Sequence, residues 1–382
     1  MVRFRLSGLV FVCVLAQLLA APALGIVLQD ESQLADFHNH ALAPWPSSQL
    51  LAADPSVYFQ GARTWLTERI FPVQLATRIQ KTVLLNWLNE APEPRISLGD
   101  DGHIFLNGGS NQSLYGLFAL ACVYAHTDAA ARSLEQAMQY WTSLGLPSDF
   151  VVIPTAASLY ADKLPSSTPQ NLRTACLERT AGRSALLSVR APEKIHFLYP
   201  LHEMLAAKDD AGFYPKANWH AAGKSLQLVR DTYLAQLGVQ QRVQESLRRG
   251  SGPAEILLSY GIDWERPRYF VDNPAVSTAA HSDALVRSAL APFFRGNRFV
   301  THAYENTLPV LDQHVLLLTD SFGDLAAEVF AGAFRSVVQV NVNDLQAGGA
   351  SFVIQRVRET QPIDRVIFLI QEGNVASLAL WR

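Results

Sequence analysis

The chain has 382 residues, 49% of them hydrophobic and 17% charged, with a formal net charge of −3. That apolar share at that length supplies one large or two modest cores and excludes a disordered chain. Basic residues are not concentrated into a patch, which excludes nucleic acid as a partner.

Residues 1–25 read as a secretory signal: "MVRFRL" carries two arginines, "SGLVFVCVLAQLLA" is apolar, and "APALG" offers small residues for cleavage. The same pattern serves as an N-terminal anchor if it is not cleaved, although the apolar run is short for a membrane span. Cleavage removes Arg3 and Arg5 and leaves 29 basic against 34 acidic residues, a net of −5. It also removes Cys13, leaving Cys122 and Cys176 either as a disulfide, which an exported compartment permits, or as two separately buried thiols.

Residues 26–95 are expected to form a helical arm. "YFQGARTWLTERIFPVQLATRIQKTVLLNWL" spaces Trp65, Leu66, Ile70, Leu75 and Ile79 at helical intervals, with Pro72 as punctuation. "DFHNH" at 36–40 has the composition of a metal site but no third convergent ligand, so a structural or exposed role is expected. Asn111-Gln112-Ser113 matches a glycosylation sequon.

From residue 96 to 382 the pattern becomes that of an α/β domain. "APEPRISLGDDGHIFLNGG" reads as turn and strand, and "QSLYGLFALACVYAHTDAAARSLEQAMQYWTSLG" as one long helix stopped at Gly145. "DFVVIP" reads as a buried strand followed by a loop, and "SLQLVRDTYLAQL" as a helix. "HVLLLTDSF", "SVVQVNV" and "DRVIFLIQE" are strand-length apolar runs separated by helical segments. Such alternation predicts a mostly parallel sheet covered on both faces.

Within that sheet, "TDSFG" puts Ser321 at the carboxyl end of a strand, where open α/β sheets place ligands. Amides opening the next helix can hold a developing negative charge there. A serine at this place also serves as a helix cap, so the nucleophile reading needs a base. His314 opens the same strand and should lie at its wrong end. His220, in the aromatic loop "GFYPKANWHAAG", is the candidate base, with Asn218 two residues before it. Asp320 is expected to satisfy amides around the turn, and Tyr304, Glu305 and Asn306, just before the Ser321 strand, either to lie in a surface loop or to reach the pocket.

These segments resemble a known family. "LLLTDSFG", then a helix and "SVVQVNV", looks like the Gly-Asp-Ser block of SGNH hydrolases, and more narrowly the SGNH-like domain of bacterial alginate O-acetyltransferases and their relatives in exopolysaccharide acetylation. "YPKANWHAAG" is similar to that family's histidine segment, keeping Tyr214, Lys216, His220 and Gly223. "LGDDGHIFLNGG", "VVIPTAASLYADKLP", "HFLYPLHEMLAAK" and "WLTERIFPVQ" resemble further blocks in the family's order, so the resemblance runs from about residue 60 to the C-terminus. It departs where the family's acid two residues before the histidine falls on Asn218, where Thr319 replaces a glycine, where Trp219 precedes rather than follows the histidine, and where Thr155-Ala156-Ala157 lacks a basic residue.

The resemblance implies a three-layer, flavodoxin-like α/β fold and an exported O-acetyltransferase of the alginate or another exopolysaccharide system. Ser321 would be the nucleophile and His220 the general base, with Asn218 at the acid's position. It implies no metal or soluble cofactor, a polysaccharide substrate, a membrane-bound acyl-donor protein as partner, and the periplasm as location, free or held at the inner membrane. An amide orients the imidazole but cannot stabilise imidazolium as a carboxylate does; in serine proteases that change costs roughly 10⁴ in turnover. Three outcomes stay open: Asp209, Asp210 or Glu372 replaces the lost carboxylate; the pair works with Asn218 as orienter; or the domain has lost turnover and is a binding or assembly subunit. An acetyl esterase would use the same serine.

Overall fold

Strands covered by helices on both faces need no polar alternation, and two of the three C-terminal apolar runs have none: Leu316, Leu317, Leu318, Ile367, Phe368 and Leu369 are all completely buried. The computed structural model describes residues 31, 42–69, 73–106, 116–145, 147–258, 262, 265–294, 301–343, 345 and 349–381. The expected signal at 1–25, "DFHNH", Pro72 and the sequon at 111–113 lie outside them. The chain forms two units, Met1–Pro94 with Pro253–Trp264, and Arg95–Gly252 with Glu265–Arg382.

In the first unit, helices span Ser48–Ala53, Pro55–Arg69 and Val73–Asn86. The Arg69 guanidinium lies over the Trp65 ring at 4.8 Å and donates to the Ala43 carbonyl at 3.1 Å, while the Glu68 carboxylate accepts from the Ala43 amide at 2.7 Å. Among the described residues no helix is long and apolar enough to cross a membrane.

The second unit is built on a seven-stranded sheet. Its strands are β1 (Ser148–Ile153), β2 (Phe197–Leu198), β3 (Val276–Thr278), β4 (Thr301–Asn306), β5 (Leu311–Thr319), β6 (Phe334–Asn341) and β7 (Arg365–Gln371), in the spatial order β2-β1-β7-β5-β6-β4-β3. The pairs from β2 to β6 are parallel, and β4 and β3 add antiparallel pairs at one edge. Its helices include α1 (Asp128–Ser143), α2 (Lys224–Gln236), α3 (Ala280–Leu290), α4 (Gly323–Ala331) and α5 (Gly349–Arg358). This is the α/β fold with a mostly parallel central sheet that the alternating pattern predicts.

Connectivity fixes where a ligand can enter. From β5 the chain runs through α4 to β6 on one side, and from β6 through α5 to β7 on the other side of β5. Because such crossovers are right-handed, α4 and α5 cover opposite faces, and the reversal of direction at the carboxyl ends of β5 and β7 is where open α/β sheets take ligands. Helix α2 packs on α4, and α3 on α5. Buried Arg230 fastens the first pair: its guanidinium donates to both Glu245 carboxylate oxygens at 2.6 Å and to the Val329 carbonyl at 3.1 Å. Asn306 closes the far end of α4, donating to the Ala331 and Gly332 carbonyls at 3.0 and 2.9 Å.

Two expectations are corrected. The long helix over 112–145 is broken among its described residues into Gly116–Cys122 and α1, because Thr127 caps the second piece by accepting from the Ala130 amide at 3.2 Å. Tyr304, Glu305 and Asn306 belong to β4, not to a surface loop, and Asn306 is 2% exposed. Of the two readings for the cysteines, the disulfide is the one formed: Cys122 and Cys176 are bonded across 54 positions. Closing a loop of that length restricts the unfolded chain, so replacing both by alanine is expected to lower unfolding free energy by about 2–4 kcal/mol in urea titration.

Candidate active site

The turn after β5 is held by a buried acid. Asp320 is completely buried and accepts from the Phe322 amide at 2.9 Å, the Gln371 amide at 2.9 Å and the Asn374 side-chain amide at 2.8 Å. Burial pushes its carboxyl above the ordinary range, against the pull of those three donors. It joins the carboxyl ends of β5 and β7, which matches the expected role of satisfying amides around the turn.

The turn is also tight. A Cβ at Gly323 would lie 2.1 Å from the Cβ and Cγ2 of Thr319, so only glycine fits where α4 starts over the end of β5. Thr319 in turn accepts from Gln339 Nε2 at 2.8 Å, across to β6. Between these anchors Ser321 remains half-buried, and its Oγ lies 2.9 Å from His220 Nε2.

His220 is brought there by a loop pinned along its length. The Lys216 carbonyl accepts from the Ile104 amide at 2.7 Å, the Tyr214 hydroxyl donates to the Trp219 carbonyl at 2.8 Å, and the Asn218 amide donates to the Pro215 carbonyl at 3.2 Å. Gly223 ends the loop at φ +55°, where a Cβ would meet the Tyr269 carbonyl oxygen at 2.4 Å. Under the loop, the buried Phe322 ring presents edge contacts to His220 at 4.8 Å and to Trp219 at 6.0 Å.

The structure therefore brings Ser321 and His220 together, with Asn218 buried in the same loop at 2% exposure. Asp209, Asp210 and Glu372, the carboxylates expected as alternatives to Asn218, are elsewhere. Glu372 is completely buried and engaged by the Thr155 amide at 2.8 Å, the Thr155 hydroxyl at 2.7 Å and the Tyr199 hydroxyl at 2.6 Å, with His126 Nε2 at 3.4 Å. Those partners draw it away because a buried carboxylate needs every donor it can find. Asp209 and Asp210 are exposed and line a separate cavity. His314 sits near the start of β5, its Nδ1 2.7 Å from the Ser336 hydroxyl, at the opposite end from Ser321 as expected.

Asp320 and Asp324 are near enough to His220 for their charges to interact with that of its imidazole. Asp324 lies one helical turn past Ser321 and accepts from Gln339 Nε2 at 3.0 Å and Asn341 Nδ2 at 3.3 Å. Burial raises its carboxyl to about 6, opposed by Asn341, His220 and Gln339. The sequence pattern around Ser321 does not by itself single out Asp324; its signals are the i, i+3 spacing from Ser321 and the polar Gln339 and Asn341 on alternate positions of an apolar strand. Among the described residues no group of three or more His, Cys, Asp or Glu side chains is arranged to hold a metal.

No family model matches the chain, and no curated protein matches it in sequence. Solved structures with a similar chain path include PatB1 of Bacillus cereus (13% identity, TM-score 0.48, covering 75% of this chain and 98% of that one) and a DHHW family protein of Eubacterium siraeum (13%, 0.46, 75% and 95%). The O-acetyltransferase domain of Pseudomonas putida AlgJ is another (12%, 0.40, 74% and 92%).

Two outcomes test this geometry. Gly323→Ala is expected to destabilise by roughly 1–3 kcal/mol through overpacking, and combining it with Thr319→Gly should cost less than the two single changes summed, because the clash is between these two side chains. The Asp324 carboxyl binds its proton more tightly when folded, so its ionisation opposes folding increasingly as pH rises from about 4 through 6. Asp324→Asn should thus raise the thermal midpoint at pH 8 relative to the parent and lose that advantage at pH 4.

Proposed function

We propose that the chain is an exported enzyme that transfers acetyl groups to polysaccharide hydroxyls through an acyl-serine. The observation that carries this reading is the 2.9 Å contact between His220 Nε2 and Ser321 Oγ at the carboxyl end of β5.

The steps follow from the pair. Ser321 Oγ attacks the acetyl carbonyl as its proton passes to His220 Nε2, and the leaving group departs with that proton, leaving acetyl-serine. His220 then takes the proton of a sugar hydroxyl, whose oxygen attacks the acetyl-serine carbonyl, and Ser321 Oγ recovers the proton as the sugar ester leaves. Negative charge on the carbonyl oxygen in each addition would be met by the Ser321 amide and the amino end of α4. The positive charge on His220 would be met by Asp320 and Asp324, while Asn218 contributes at most an oriented dipole.

Export separates the protein from cytoplasmic acyl donors, so the acetyl group would arrive from a membrane-bound donor protein, and the disulfide agrees with an oxidising compartment. No resident cofactor is needed by these steps.

Turnover of an activated acetyl ester tests the roles. Ser321→Ala and His220→Ala should each lower kcat by at least about 10³-fold, with the fold intact by circular dichroism. Asn218→Asp should raise kcat by about tenfold or more, recovering part of the roughly 10⁴ that an acid-to-amide change costs elsewhere. Equal rates in the parent and Ser321→Ala would rule out the reading.

A further inference from the structure

The first half of the histidine loop, from Lys208 to Lys216, walls a cavity of about 560 Å³, within the range of small-ligand sites. Its inner surface is aromatic: Tyr160, Phe213 and Tyr214 are 6%, 3% and 3% exposed. His103 lies 4.5 Å from Tyr160, ring centre to ring centre. Burial, and then Lys216 and Lys163, lower the His103 imidazole to about 4, so at neutral pH it offers one donor and one acceptor.

The charges around this surface are unequal in availability. Lys163 is paired with the Asp101 carboxylate at 2.5 Å, Lys216 donates to the Asp101 carbonyl at 2.7 Å, and Lys208 is paired with Asp162 at 3.0 Å. Asp209 and Asp210 are exposed at the lining and form no ion pair among the described residues. Arg266 also lines the cavity, so the four cations are balanced by Asp101, Asp162, Asp209 and Asp210 and leave no net charge to draw a polyanion, while exposed carboxylates accept hydrogen bonds from neighbouring sugar hydroxyls.

We propose that this cavity holds a neutral, hydroxyl-rich sugar ring of the acceptor chain, with Asp209 and Asp210 accepting from its hydroxyls. The bound ring would brace the histidine loop, since the Tyr214 hydroxyl that backs the cavity donates to the carbonyl of Trp219, next to His220. The site deepens the acyl-transfer reading and rests on it for the fate of the bound sugar, while binding itself is measured without chemistry.

The test is calorimetric titration of the mature protein with neutral hexasaccharides (β-1,4-glucan, β-1,3-glucan and β-1,4-linked N-acetylglucosamine) and with a uronate hexamer. At least one neutral hexamer should bind more tightly than the uronate. Binding should weaken at least tenfold in Asp209→Asn/Asp210→Asn, whose thermal midpoint checks the fold. Tighter binding of the uronate, no binding of any neutral hexamer, or equal affinity in the folded variant would overturn the proposal. Ester turnover of the parent protein is recorded alongside. Binding without turnover would leave the cavity standing and remove the acyl-transfer reading; turnover without binding would do the reverse.

Discussion

The candidate site depends on one buried carboxylate. Asp320 collects three donors, one from the last residue of β7, one from the segment that follows it and one from its own turn, and so fixes the relative positions of two strand ends that are 51 residues apart in sequence. Burying such a group is costly unless its lone pairs are filled, and here they are. The adjacent Ser321 inherits this rigidity without contributing to it, which leaves its hydroxyl available to His220. A serine held by its neighbour suits the proposed nucleophile: the scaffold's hydrogen bonds need not be broken for it to react.

The same separation of duties extends to the proposed base, His220. In a serine-histidine-acid triad one carboxylate both orients the imidazole and stabilises its charge. Here Asn218 lies buried in the histidine loop, and Asp320 and Asp324, anchored on β7, β6 and their own turn, bring negative charge near His220. Asp324 is near its titration midpoint around pH 6, so its contribution would grow across the neutral range. Glu372 is committed to a different cluster, with Thr155, Tyr199 and His126, directly behind the segment that grips Asp320.

The strands were legible because "HVLLL" and "VIFLI" are apolar without alternation, and a parallel sheet covered on both faces is what such runs require. Ser321 and His220 were legible as a pair because strand-end position and an aromatic loop before a helix each narrow the choice. The break at Thr127 was not, since the alanine- and leucine-rich run around it reads as continuous helix and the cap is decided by one hydroxyl. The placement of the carboxylates was least legible. Which acid faces His220 depends on the register of β5 against β6 and β7, and composition carries no trace of that; Asp209 and Asp210 are closer to His220 in sequence yet line another cavity.

The central claim is that the Ser321 hydroxyl becomes acylated. Peptide mass spectrometry after brief exposure of the mature protein to an activated acetyl ester, quenched in acid, measures this directly. An acetyl group on the peptide containing Ser321, absent when His220 is replaced by alanine, is the predicted result. An unmodified Ser321 peptide at every time point, in protein shown to be folded, would contradict it.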